Sequence, residues 1–247
     1  MTQRIVVTGG EGALARALRD FLPGARYLNR TDLDVRRTER VSVALRATRP
    51  DVVIHAAAVT TAGAPAADLI ETNVEGTRHI AAWCRAFAVR LVYLSTHGVY
   101  GDNAPEGGWC EHHDTAPVGA YAWSKLAGER WAEWVPRHVI VRGSWYTRDK
   151  VRYWAETGAL VDAWCSRESM RSAARKIADI ARDDFRGVVN IAGPRRTFHN
   201  IVREELPGEP VNATTLADVN SRWVAPYVFP RDTTICDARW RGYAKME

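Results

Sequence analysis

The sequence predicts an α/β protein built on a doubly wound parallel sheet, with a small C-terminal lobe interleaved with it. Three observations carry that prediction. Short apolar runs alternate with helical patterns through most of the 247 residues, the arrangement that βαβ units require. One run, DVVIHAAAV, is continuous rather than alternating, as a strand covered on both faces should be. The first run, RIVVTGG, ends in glycines and passes straight into a helical pattern.

In chain order, RIVVTGG is the first strand, and EGALARALRDFL places apolar residues at helical spacing behind it. ARYLN is the second strand, and RRTERVSVALRATRP is a helix that Pro50 stops. DVVIHAAAV is the third strand, and a long helix is expected from about Asp68 to Ala88. RLVYLST is the fourth strand, AYAWSKLAGERWAEW a helix, RHVIVRGSW the fifth strand, SAARKIADIARDDF a helix and GVVNIAG the sixth strand. The sheet domain is expected over 1–145 with roughly 172–193, and the small lobe over roughly 146–171 and 194–247.

Bulk properties exclude several classes. Hydrophobic residues make up 46% and charged residues 26%, ordinary for a globular chain without a disordered block. No apolar run is long enough to span a bilayer, so no membrane association is expected. MTQRIVVTGGEG lacks the long apolar core of a secretory signal, and a cytoplasmic location is the expectation. The net charge of +5 suits an anionic ligand. The basic residues are dispersed, without the aromatic-interleaved stripe of a nucleic-acid groove, so a nucleotide is expected and nucleic acid is not. Cys84, Cys110, Cys165 and Cys236 are scattered with no CxxC pair and are expected as reduced thiols. Cys110 with His112 and His113 is the one metal-like cluster, but it lacks ligand spacing, and no metal is expected.

The chemistry-bearing motifs begin at the first strand. Gly9, Gly10 and Gly12 permit a tight turn and let a pyrophosphate approach the amides of Ala13 and Leu14 at the positive end of the following helix. Ala15 keeps the third position small. In this strand–turn–helix setting the sequence is Rossmann-like and expected to bind a dinucleotide. At the end of the second strand, where an acid would accept the ribose hydroxyls of NAD, stand Asn29 and Arg30. A guanidinium suits a 2′-phosphate, so NADPH is the expected cofactor, with NAD as the alternative; a solvated surface arginine is the ordinary reading of Arg30. Asp34 either contacts the adenine or caps the helix that begins near Arg37.

Tyr121 and Lys125 are four apart in a predicted helix and share one face. An ammonium one turn from a phenol is expected to lower its pKa from about 10. Ser95 and Thr96 end the fourth strand, and ligands of open parallel sheets bind beyond such carboxyl ends. Thr96 is placed to donate to a substrate carbonyl while Tyr121 protonates it.

VTGGEGALARAL, LDVRRTERVSVALRATRPDVVIHAAAVTT, TNVEGTRHIA, RLVYLSTHGVYGD, YAWSKLAGE and VIVRGSW together resemble the extended short-chain dehydrogenases/reductases. Among these the resemblance is to the dTDP-4-dehydrorhamnose reductase group, over most of residues 4–145 and more thinly to about 205. It implies that Thr96, Tyr121 and Lys125 carry the chemistry, with Lys125 also on the nicotinamide ribose. It further implies that Gly9, Gly12, Ala56, Ala57, Ala58 and Asn73 line or brace the cofactor site. Arg142, Ser144 and Trp145 fall where family members meet substrate or nicotinamide; Trp145 reads equally as a packed core aromatic. The stretch after Trp145 is short for the family, which implies a smaller second lobe.

His97 and Gly98 depart from that pattern. The related 4,6-dehydratases carry an Asp-Glu pair here to eliminate water, which needs groups that both give and take protons. Gly98 can do neither, so dehydration is disfavoured. The reductases usually carry Asp-Tyr, so sugar specificity does not carry over. His97 is placed as a substrate-side residue, with a hydrogen-bonded structural histidine as the preferred ordinary reading.

The expected function is NADPH-dependent reduction of a nucleotide-linked 4-keto-deoxysugar. Arg167, Arg171, Arg195 and Arg231 are candidates for its diphosphate. An epimerase holding NAD, and a regulatory subunit that acts by binding a partner, are the alternatives. Trp109, Trp123, Trp131 and Trp134 cluster around the Tyr121 helix, as core, sugar-stacking surface or homodimer interface.

Overall fold

The computed structural model describes residues 3–61, 63–222 and 229–243. Along the chain run β1 (Ile5–Thr8), α1 (Ala13–Leu18), β2 (Arg26–Leu28), α2 (Thr38–Thr48), β3 (Val52–His55) and α3 (Ala66–Leu69). A π-helical segment (Ile70–Glu75) leads into α4 (Gly76–Ala86), then β4 (Arg90–Leu94), a 3-10 turn (His97–Tyr100), α5 (Ala120–Glu133) and β5 (His138–Gly143). Next come β6 (Trp145–Tyr146), α6 (Arg148–Thr157), β7 (Ala159–Leu160), β8 (Trp164–Cys165), β9 (Glu168–Ser169), α7 (Met170–Arg182) and β10 (Gly187–Ile191). The chain closes with β11 (Arg196–Thr197), α8 (Phe198–Glu205), β12 (Ala213–Thr214), α9 (Leu216–Arg222), β13 (Asp232–Thr233) and α10 (Ala238–Tyr243).

All six expected strands pair in one parallel sheet, in the order β10-β5-β4-β3-β1-β2. Successive residues face opposite layers. Val7, Ile54, Val92, Val141 and Val189 pack with Leu14 and Leu18 of α1 and Ile177 of α7. Val6, Val53, Leu91, Tyr93 and Ile140 pack with Leu45 of α2, Ile80 of α4 and Ala132 of α5. Burial on both faces is why the strands read as apolar runs. Strand order reverses between β1 and β3, which opens a crevice at their carboxyl ends.

The expected helix over 68–88 is continuous, but it carries the π-helical segment at Ile70–Glu75. α2 ends where Arg49 takes a left-handed φ of 45°, just before Pro50. A separate apolar cluster joins Val151 and Trp154 of α6 to Phe198, Ile201 and Val202 of α8. Beside it β11, β8 and β13 form a three-stranded sheet. No helix among the described residues is long and apolar enough to cross a membrane.

The cysteines require a correction. Cys110 and Cys236 form a disulfide, with Cα atoms 5.0 Å apart across a separation of 126 residues. A β-bridge from Trp109 to Ile235, and the Cys236 N–H donated to the Trp109 carbonyl at 2.9 Å, bring them side by side. Sequence spacing carries no trace of a pairing that only this closure creates. Cys84 and Cys165 are free and buried. The ligand atoms of Cys110, His112 and His113 lie within 4.8 Å of one another, but the Cys110 sulfur is committed to the disulfide.

Candidate active site

The crevice is built first by the loop after β1. Gly9 has φ +68°, and a Cβ there would come within 2.9 Å of the Ala57 backbone; one on Gly10 would come within 2.8 Å of Tyr27. The glycines therefore let the loop lie flat against β3 and β2. Gly12 is the N-cap of α1 and has no side chain to cap it, so the first amides of the helix, on Ala13 and Leu14, are free to meet an anion. Thr8 Oγ1 accepts the N–H groups of Ala56 and Ala57 at 3.1 Å each and lies 2.8 Å from His55 Nδ1. These bonds fix the turn after β3. Asn73 completes the clamp: its Oδ1 accepts from the Val59 N–H, and its Nδ2 donates to the Val59 carbonyl and to Ser124 of α5.

At the end of β2, Asn29 Oδ1 accepts the N–H groups of Thr31 and Asp32, which shapes the turn and presents an exposed Arg30. Arg30 lies 4.0 Å from Asp34. The Asp34 carboxylate is gripped by Arg36, at 2.9 and 2.7 Å, and that guanidinium holds its pKa down to about 2. The capping alternative for Asp34 is not met: α2 starts at Thr38, and its N-cap Arg37 makes no side-chain cap.

Thr96 stands at the end of β4, buried, and its Oγ1 accepts the Gly98 N–H at 3.2 Å. That bond leaves its own O–H free to donate. A Cβ on Gly98 would lie 3.6 Å from both Thr96 Oγ1 and Ala122 Cβ, so the 3-10 turn packs against the first turn of α5, where Tyr121 sits. Lys125, one turn on, is buried, with Nζ 4.3 Å from the centroid of the Tyr93 ring. Burial pulls its pKa down to about 7, against the opposing charge of Glu129. Burial pushes Tyr121 up to about 12. The expected lowering of the phenol by the ammonium is therefore corrected: burial is the resolved cause and acts upward, so Tyr121 is protonated at neutral pH.

Arg142, expected where substrate or nicotinamide is met, has its partners inside the protein. Its guanidinium grips buried Glu129 of α5 with Nε–Oε1 and Nη2–Oε2 bonds of 3.0 and 2.7 Å, and Ser95 donates to the same carboxylate at 2.5 Å. The three side chains bolt the Tyr121–Lys125 helix to β4 and β5. No local signal announces this, since the partners are 13 residues apart and meet only when α5 packs on the sheet. Trp145 is half-buried against the core cluster of β5, β10 and α7. Ser144 Oγ accepts from Arg167 at 2.7 Å, which brings Arg167 beside His97. Of the other arginine candidates, Arg171 pairs with Asp20, Arg195 pairs with Asp232 and covers the Trp164 ring, and Arg231 is exposed. Trp123 and Trp134 are exposed at 59% and 46%.

A glycine loop after β1, a threonine ending β4 and a Tyr-Lys pair opening the next helix, on a doubly wound parallel sheet, define an extended short-chain dehydrogenase/reductase. The family described as RmlD substrate binding domain matches residues 3–158, and the chain belongs to that family. It is 31% identical over 271 residues to the dTDP-4-dehydrorhamnose reductase of Streptomyces griseus, covering 97% of this chain and 87% of the relative. It is 38% identical over 141 residues to a dTDP-4-keto-6-deoxy-D-glucose reductase of Streptomyces niveus, covering 53% of this chain and 47% of that relative, about half its length. The fold matches the dTDP-4-dehydrorhamnose reductase of Bacillus anthracis solved in complex with NADP, with a TM-score of 0.87 at 21% identity over 98% of this chain and 93% of that one.

Proposed function

We propose that the protein is an NADPH-dependent reductase that turns the 4-keto group of a dTDP-linked deoxysugar into an alcohol. The observation that supports this reading is buried Lys125 one turn from Tyr121 on α5, a helix that the Asn73 clamp holds through Ser124 and whose first turn packs on the Gly98 turn after buried Thr96. The donor set fits the cofactor: first-turn amides for the pyrophosphate, exposed Arg30 for a 2′-phosphate, and Lys125 for ribose hydroxyls. Bound NADPH supplies the hydride. Thr96 donates its free O–H to the carbonyl oxygen, and Tyr121, protonated at neutral pH with its pKa raised to about 12, gives that oxygen its proton. Lys125 stabilises the phenolate left behind. Arg142, Glu129 and Ser95 are positioning residues that hold the helix. A sheet domain of 1–145 with roughly 172–193, a substrate lobe from the remainder, a cytoplasmic setting and a homodimer belong to the same proposal.

The test is absorbance at the nicotinamide band with a dTDP-4-keto-6-deoxy sugar. Expected is NADPH oxidation by the wild type and a loss of about 10²–10⁴-fold in kcat for Tyr121→Phe. A changed sugar without NADPH consumption would replace the reductase by an epimerase, and an active Tyr121→Phe would remove tyrosine as the acid.

A further inference from the structure

The loop before α5 and the closing segment meet at four side chains of metal-ligating type. Cys110 stands in that loop with His112 and His113, and Cys236 is joined to Cys110 by the disulfide. The ligand atoms of Cys110, His112 and His113 lie within 4.8 Å of one another. His113 Nδ1 accepts the Cys110 N–H at 2.8 Å, and the His112 and His113 rings stack with centroids 4.3 Å apart. Spacing along the chain hides this set, because the second sulfur arrives from 126 residues away.

The gathering does not depend on the sulfur–sulfur bond. Asn190 is fully buried, and its Nδ2 donates to the carbonyls of Trp109 and Cys236 at 3.0 Å each. Tyr100 fixes that amide by donating to its Oδ1 at 2.9 Å. With the Trp109–Ile235 bridge and the Cys236 N–H on the Trp109 carbonyl, the backbone keeps the two cysteines side by side in either redox state. The Trp109 ring meets His113 edge-on, with centroids 5.4 Å apart. Both cysteines are partly exposed, and access is what thiol–disulfide exchange requires.

Two thiolates and two imidazoles are a donor set for tetrahedral zinc, with bonds of about 2.3 Å to sulfur and about 2.0 Å to nitrogen. Ligand atoms around such an ion stand about 3.3–3.8 Å apart, so side chains already within 4.8 Å need close in only slightly. The acids beside them are engaged, Glu111 with the Asn190 N–H and Asp237 with Arg241. Sulfur and nitrogen therefore remain as the donors, which disfavours the oxygen-seeking Mg²⁺ and Ca²⁺. A ligating imidazole either presents Nδ1 itself or carries its proton there, so His113 exchanges the Cys110 N–H for the ion in both cases.

We propose that Cys110, His112, His113 and Cys236 form a zinc site when the disulfide is reduced, so that metal and disulfide are alternative staples of the same two segments. A dithiol reductant gives two electrons and two protons to the sulfur–sulfur bond. The bond breaks to two thiols as the reductant closes to its own disulfide. Zn²⁺ then displaces the two thiol protons and takes one lone pair from each imidazole. In both states the loop that leads into the Tyr121 helix stays tied to the closing segment.

The experiment is anaerobic titration of the full chain with Co²⁺, a spectroscopic probe for zinc sites, before and after reduction, with circular dichroism as the check on folding. Expected of the reduced, folded wild type is one Co²⁺ per chain, with tetrahedral d–d absorption and a thiolate charge-transfer band, both lost when Zn²⁺ displaces it. The oxidised protein should show neither band. His112→Ala and His113→Ala should each weaken the reduced protein's affinity by at least the roughly 10–100-fold that loss of an outer-shell partner brings, and Cys236→Ser should diminish the charge-transfer band. Zn²⁺ should also raise the Tm of the reduced wild type. No tetrahedral band after reduction, equal uptake by both redox states, or affinity untouched by both histidine variants would overturn the site. A band that appears only in unfolded protein would overturn it too, since the fold would not then be gathering the ligands. The comparison of redox states needs no variant.

Discussion

Replacing Arg142 by methionine should destabilise the protein severely, and replacing Glu129 by leucine as well should restore most of the loss. The pair is almost wholly removed from solvent, the side chains being 6% and 0% exposed. Opposite charges about 3 Å apart attract by about 5 kcal/mol at an effective dielectric of about 20. Desolvation cancels much of that gain while both partners are present, but removal of one leaves the other buried and uncompensated, at about 3–5 kcal/mol. For a chain of this size that is a fall in Tm of about 6–20 °C. Urea unfolding followed by tryptophan fluorescence gives the double-mutant cycle. Arg142→Met should lose about 3–5 kcal/mol, and the double variant should return to within about 1 kcal/mol of the wild type. A single variant within about 1 kcal/mol of the wild type, or a double variant as unstable as the sum of the singles, would refute the assignment of these side chains as a buried pair holding α5.

The buried Lys125 ammonium is disfavoured in the folded state, where its pKa is pulled down from 10.5 to about 7. Between those values the unfolded chain binds more protons than the folded one, so this group makes stability rise with pH across that window. Lys125→Met should therefore be more stable than the wild type below pH 7, by several kcal/mol, with the advantage shrinking towards pH 10; a pH-independent difference in urea unfolding would contradict it. Reduction of the Cys110–Cys236 bond, which closes a loop spanning 126 residues, should remove about 4–5 kcal/mol. The expected fall in Tm is about 8–20 °C, and an unchanged Tm with both thiols titrated free would refute it. Arg30→Ser should raise the KM for NADPH about tenfold and leave that for NADH unchanged; equal effects on both cofactors would remove Arg30 from the 2′-phosphate.

The sheet was legible because a parallel strand covered on both faces must be apolar at consecutive positions, as in Val52–His55 and Arg90–Leu94. The glycine loop, Thr96, Asn73 and the Tyr121–Lys125 pair could be singled out for a related reason: each lies at its own strand end or on its own helix. The π-helical segment at Ile70–Glu75 was not, since one widened turn hardly alters apolar spacing over 20 residues or so. Nor was the role of Arg142, whose partner Glu129 lies on another element. For Asp34 the competitor is local: Arg36, two residues on, takes the carboxylate that one of the two readings assigned to a cap.

Other residues that reading along the chain could not place share a geometry. Cys110 meets Cys236, and Arg195 meets Asp232. In each case the C-terminal segment returns to the end of the sheet and completes something begun more than 35 positions earlier. The groups proposed to move hydride and proton lie in contiguous motifs that need only their own βα unit. The disulfide and the Arg195–Asp232 pair are instead assembled from stretches far apart in the chain. Substitutions in the closing segment should therefore act on stability while leaving Thr96, Tyr121 and Lys125 in place.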